Sequence, residues 1–121
     1  MDIGLGRHRN TLNDSPIFSR TYDFLLWLVP QACKFPRQYR FTLAERIQQH
    51  ALDFHETLIR AGLSKGAQRM AHLQQANGQL AQLRHTLRLC NDLNLLTLKQ
   101  YEYVAGCVNE IGRLLGGWMK V

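Results

Sequence analysis

Apolar residues along the chain fall into four runs stepped mostly by three and four, separated by short breaks rich in Pro, Gly, Asn and Thr. The first run turns Phe18, Tyr22, Leu25, Leu28 and Val29 to one side, and the second Ala44, Ile47, Ala51, Phe54, Leu58 and Ala61. The third carries Leu73, Ala76, Leu80, Leu83, Leu87 and Cys90, and the fourth Tyr101, Val104, Val108, Ile111, Leu115 and Trp118. Each run is one face of an α-helix, and no stretch alternates with the period of a strand. Start and stop signals agree. Ser15-Pro16 supplies a cap and a proline at the first helical position. The first helix runs towards Phe35, with Pro30 expected to kink its end and Phe35-Pro36-Arg37 to turn the chain out. Thr42 and Glu45 make a capping box for the second helix, which Gly62 closes before a linker ending at Gly66. The third ends around Asn91-Asp92-Leu93-Asn94, and Thr97 with Gln100 forms another capping box for the fourth. Helices of comparable length with short connections predict an all-α, up-down-up-down four-helix bundle over residues 15–121. Residues 1–14, with Gly4, Gly6, Asn10, Asn13 and Asp14 and no periodicity, read as a flexible N-terminal arm.

A chain of 121 residues has room for one domain with a real core. Its longest apolar run, Phe24 to Val29, is closed by Pro30 and is far too short to span a bilayer, so no membrane partner is expected. The first residues have neither the cationic start nor the apolar stretch of a signal peptide. A cytoplasmic protein is therefore expected, with Cys33, Cys90 and Cys107 as thiols rather than disulfides.

Charge changes the picture more. Fifteen Lys and Arg against nine Asp and Glu give a formal net charge of +6, which favours a polyanionic partner. Arginine outnumbers lysine eleven to four, and its planar fork suits two-point contact with phosphate. The cations cluster: Arg84 and Arg88 stand one turn apart on the third helix, Arg37 and Arg40 sit at the first turn, and Arg113 and Lys120 lie near the end of the fourth helix. These six are the candidate binding residues. For Arg84 and Arg88 a second reading is open, in which they pair with carboxylates across an interface.

Two helices carry a further face that a lone bundle does not require. Ala105, Asn109, Gly112 and Gly116 line up beside the core stripe of the fourth helix. A glycine inside a helix costs about 1 kcal/mol relative to alanine, so close packing should offset it. The neighbour is either another helix of the same chain or a second subunit. On the second helix Leu52 and Ile59 form another apolar strip and point to an oligomer. Catalytic chemistry is not expected. Three residues after Glu45, Glu56, Glu102 and Glu110 stand Gln48, Ile59, Ala105 and Arg113, so the Glu-x-x-His signature of di-iron bundles is missing. His50 and His55 project to different sides and make poor joint ligands. With no nucleophile, metal or cofactor motif, the chain is expected to bind partners rather than to act as an enzyme.

Three segments in order resemble a known family. They are Phe35-Pro36-Arg37, the run Leu80-Ala81-Gln82-Leu83-Arg84-His85-Thr86-Leu87-Arg88-Leu89, and Ile111-Gly112-Arg113-Leu114-Leu115-Gly116-Gly117-Trp118. Over residues 17–121 the chain is similar to the accessory variability determinant proteins of diversity-generating retroelements, a group that includes the four-helix proteins of 23S rRNA intervening sequences. The resemblance implies a four-helix bundle assembled as a ring-like homopentamer with a basic surface. It also implies binding of the element's reverse transcriptase and of template RNA or other nucleic acid, in support of mutagenic reverse transcription. Arg37, Arg84, Arg88 and Arg113 would then belong to the contact surface. A structural oligomer of the intervening-sequence type, without a polymerase partner, is the alternative.

Overall fold

Pro16 opens the first helix where the missing N–H of proline has no helical acceptor to lose. In the computed structural model, which describes residues 15–121, helix α1 spans Pro16–Cys33 and is followed by α2 (Glu45–Gly62), α3 (Gly66–Asp92) and α4 (Leu98–Met119). The arm expected at residues 1–14 lies outside the described residues. Every regular element among them is helical.

Side-chain contacts fix the packing. Gln100, at the start of α4, donates from Nε2 to Gln31 Oε1 near the end of α1 at 3.5 Å. At the other end of the same pair Phe18 meets Trp118 edge-on, with ring centroids 5.7 Å apart. α1 and α4 are therefore antiparallel neighbours. The short α2–α3 link reverses the chain, and Arg69 near the start of α3 donates from Nε to Ala61 O at 2.9 Å. Its guanidinium also lies 5.7 Å from the Trp118 ring centroid. One arginine thus satisfies carbonyls at the end of α2 and joins them to the end of α4, where such carbonyls have no partner within the helix. The result is a four-helix bundle.

The stripes meet in one core, with Phe24, Leu28, Ile47, Phe54, Leu58, Leu73, Leu80, Leu83, Val104, Ile111 and Leu115 fully buried. Two expectations are corrected. Tyr22 is 56% exposed and Thr21 is buried in its place, because α1 packs through Ile17, Thr21, Phe24 and Leu28 rather than along the steps through Tyr22. Thr42 does not cap α2. The chain passes through a 3-10 turn at Arg37–Tyr39 and a π-helical turn at Arg40–Ala44, so Thr42 is already inside a helical run. Its Oγ1 donates back to Tyr39 O at 3.4 Å, and the residue before α2, Ala44, offers no side-chain cap. The Thr97–Gln100 box forms as read: Gln100 N–H donates to Thr97 Oγ1 at 3.1 Å, and Thr97 N–H donates to Gln100 Oε1 at 2.9 Å. Pro30 lies inside α1, which runs on to Cys33, two residues before Phe35.

Candidate functional site

Among its 27 residues α3 carries three arginines, Arg69, Arg84 and Arg88, and a single acidic residue, Asp92, at its very end. Its outer face is filled instead with amides, among them Gln74, Gln75, Asn77 and Gln82. Because long side chains on a helix lean back towards its N-terminus, Arg84 and Arg88 reach along the flank that faces α4. There two shallow cavities open in the α3–α4 seam. One, of about 290 Å³, is lined by Arg84, His85, Leu87, Arg88, Tyr101, Ala105, Val108 and Asn109. The other, of about 410 Å³, is lined by Asn77, Leu80, Arg84, Asn109, Gly112 and Arg113. Arg84 and Asn109 line both, so the cavities form one continuous seam with Arg88 towards one end, Arg84 in the middle and Arg113 towards the other.

Among the described residues, none of these three arginines has a carboxylate within salt-bridge distance. Arg20 and Arg60 do: Arg20 Nε donates to Glu110 Oε2 at 3.0 Å, and Arg60 lies 4.0 Å from Glu56. The α1–α4 seam shows the contrast. Its cavity of about 280 Å³ is lined by Arg20, Asp23, Phe24, Tyr103, Cys107 and Glu110, where the cation is matched by acids. In the α3–α4 seam the guanidiniums have no carboxylate partner among the described residues and stand beside the amides of Asn77 and Asn109 and the ring of Tyr101. Such a set can hold an anion with several oxygens, by charge-assisted hydrogen bonds from the planar forks.

The candidate residues divide. Arg84, Arg88 and Arg113 come together with Ala105, Asn109 and Gly112 in the one seam. Arg37 and Arg40 are exposed on the α1–α2 connection, with Arg40 stacked 5.9 Å from the ring centroid of Phe41. Lys120 caps α4 at the opposite end of the bundle. None of these last three lines the seam. In the α4 ridge Gly112 packs against α3 of its own chain: a Cβ there would stand 2.6 Å from Arg84 Nη2 and 3.5 Å from Leu80 Cδ2. Gly116 faces open space. The Leu52–Ile59 strip is interrupted, since Leu52 is exposed and Ile59 packs partly against the core. Asn77 and Tyr101 are seam residues that the sequence reading did not single out as functional. The near absence of acid along α3 was the signal that could have drawn attention to its flank.

Two of the three thiols, Cys90 and Cys107, are shifted by burial. Burial pushes the Cys90 thiol up to about 11, and Cys107 is raised by the same cause, so neither resembles an activated nucleophile. No helix among the described residues is long and apolar enough to cross a membrane.

Comparison with curated proteins finds no match. A family model described as bAvd-like matches residues 17–121, which takes in all four helices but for Pro16 at the start of α1, and every residue of the α3–α4 seam. By that match the chain belongs to the bAvd-like family, the bacterial accessory variability determinants, which is a family of accessory proteins.

Proposed function

We propose that the protein is the non-enzymatic accessory subunit of a diversity-generating retroelement, and that it holds template RNA or related nucleic acid at the α3–α4 seam while also engaging the reverse transcriptase. Family membership supports the accessory role. The nucleic-acid part rests on one observation: Arg84, Arg88 and Arg113 line a single seam with no carboxylate partner among the described residues. Guanidiniums without a carboxylate partner suit a polyanion, and contacts to phosphate fix position without reading bases. Recognition is accordingly salt-sensitive and weakly dependent on sequence. Assembly of several chains, a homopentameric ring in this reading, would place several such seams on one strand and multiply the field of a +6 protomer.

The test replaces Arg84 and Arg88 together with glutamine. Both side chains are exposed, so the helical circular dichroism and the mass in solution should stay as they are. RNA affinity should fall, and the slope of log affinity against log salt should shrink by about 0.7 for each lost phosphate contact on a single strand. Unchanged affinity and slope would refute the seam as the binding surface. Loss of the assembly would make these arginines interface struts instead.

A further inference from the structure

Gly112 sits in the middle of α4, where alanine would be the better helix former, and its neighbour explains what a side chain would disturb. An ideal Cβ at this position would lie 2.6 Å from Arg84 Nη2 and 3.8 Å from Arg84 Cζ. The guanidinium therefore lies against the bare backbone of α4, in a space that any other residue would fill. Gly106, Gly116 and Gly117 on the same helix face open space, so this contact belongs to Gly112 and not to the helix as a whole.

We infer that Gly112 is a positioning residue for phosphate: it seats the Arg84 guanidinium in the α3–α4 seam so that Arg84 and Arg88 converge on one phosphodiester of a bound single-stranded RNA. The inference rests on the reading of the seam as the nucleic-acid surface. Three features support it. Arg84 lines both cavities, so its position decides whether the seam is continuous. No carboxylate among the described residues holds its guanidinium, and the α4 backbone at Gly112 is a surface it lies against. A long side chain held in place before binding loses less freedom when phosphate arrives. The atom that a new Cβ would strike is also the far end of a flexible chain, so the clash is relieved by moving the guanidinium rather than the backbone. Stability and binding should then respond in opposite directions.

The experiment compares Gly112→Ala, Gly106→Ala, Arg84→Gln and the Gly112→Ala/Arg84→Gln double variant of the full chain. Each is titrated with a short fluorescein-labelled single-stranded RNA of mixed sequence, with thermal melts and light scattering alongside. Gly112→Ala should melt at the same temperature as the parent or higher, because alanine favours the helix. It should bind RNA roughly tenfold more weakly, the loss expected for one charge-assisted hydrogen bond. Gly106→Ala should match the parent in binding. In the Arg84→Gln background Gly112→Ala should add nothing, which identifies Arg84 as the group through which Gly112 acts. Parental affinity in Gly112→Ala, with Arg84→Gln weakened, would overturn the positioning role and leave the seam reading standing. Parental affinity in Arg84→Gln would overturn both. A change of assembly mass in Gly112→Ala would also overturn it, since Gly112 would then be a subunit contact.

Discussion

Arg20, Arg60 and Arg69 are occupied within the chain, by Glu110, by Glu56 and by the end of α2, whereas Arg84, Arg88 and Arg113 have no carboxylate partner among the described residues. Guanidiniums without a carboxylate partner among the described residues are the chemical content of the seam, and they make the arginines there unequal to Arg20 and Arg60. Histidine gives a second residue-scale consequence. His55 Nδ1 is buried without a hydrogen-bond partner among the described residues, and burial lowers its pKa, opposed only in part by Glu56. His50 is lowered as well, first by burial and then by Arg46, with Asp53 acting the other way. A histidine whose folded pKa is depressed binds more protons when unfolded. The stability it contributes is therefore fully present above about pH 6.5 and is lost as pH falls towards the folded value. Tm should hold steady above neutrality and decline through the mildly acidic range. A His50→Gln/His55→Gln variant should flatten that decline; an unaltered profile would place the dependence on other groups.

Helices α2 and α4 begin with the same sequence signal and start in different ways. Around Thr97 the backbone is extended, so its hydroxyl meets the N–H of Gln100 and the reciprocal box closes. Around Thr42 the turn out of α1 is already wound, through the 3-10 and π-helical turns, and the hydroxyl finds the Tyr39 carbonyl instead. A cap needs a non-helical residue whose side chain reaches forward, and the tight return from α1 removes that geometry. Thr97→Ala should accordingly cost about 1 kcal/mol in urea unfolding, while Thr42→Ala should cost only a few tenths. Equal losses would show that Thr42 has a capping role in solution.

For the whole molecule, the distribution of surface chemistry bears on assembly. Tyr22 and Leu26 on α1 and Tyr103 on α4 are exposed, and Tyr103 stacks on Trp27 with centroids 5.1 Å apart. Tyr22 and Leu26 thus leave apolar surface on α1, while the arginines of the α3–α4 seam have no carboxylate partner among the described residues. A homo-oligomer that covered the first and kept the second accessible would suit both faces. Light scattering at micromolar concentration should return a mass several times 14.0 kDa, with five copies as the expected number. A clean monomer would refute the ring and, with it, the pooling of charge from several chains.

Sequence by itself determined the number of helices, most of their buried faces, the Thr97 cap and the family. These depend on periodicity and local hydrogen bonding, which are properties of one helix at a time. Tyr22 marks the limit even within a helix: steps of three and of four both give an apolar face, and only packing against α2 and α4 chose Thr21 over it. The candidate site was legible in part. Arg84, Arg88, Arg113 and the Ala105–Gly112 ridge could be named from the chain, but not their convergence, nor the part of Asn77 and Tyr101 in it. Tertiary structure decided which cations lacked acids, because that depends on which helices become neighbours. It also decided that Gly112 stands under Arg84, because the register between antiparallel α3 and α4 is set by core packing across the seam and not by the periodicity of either helix.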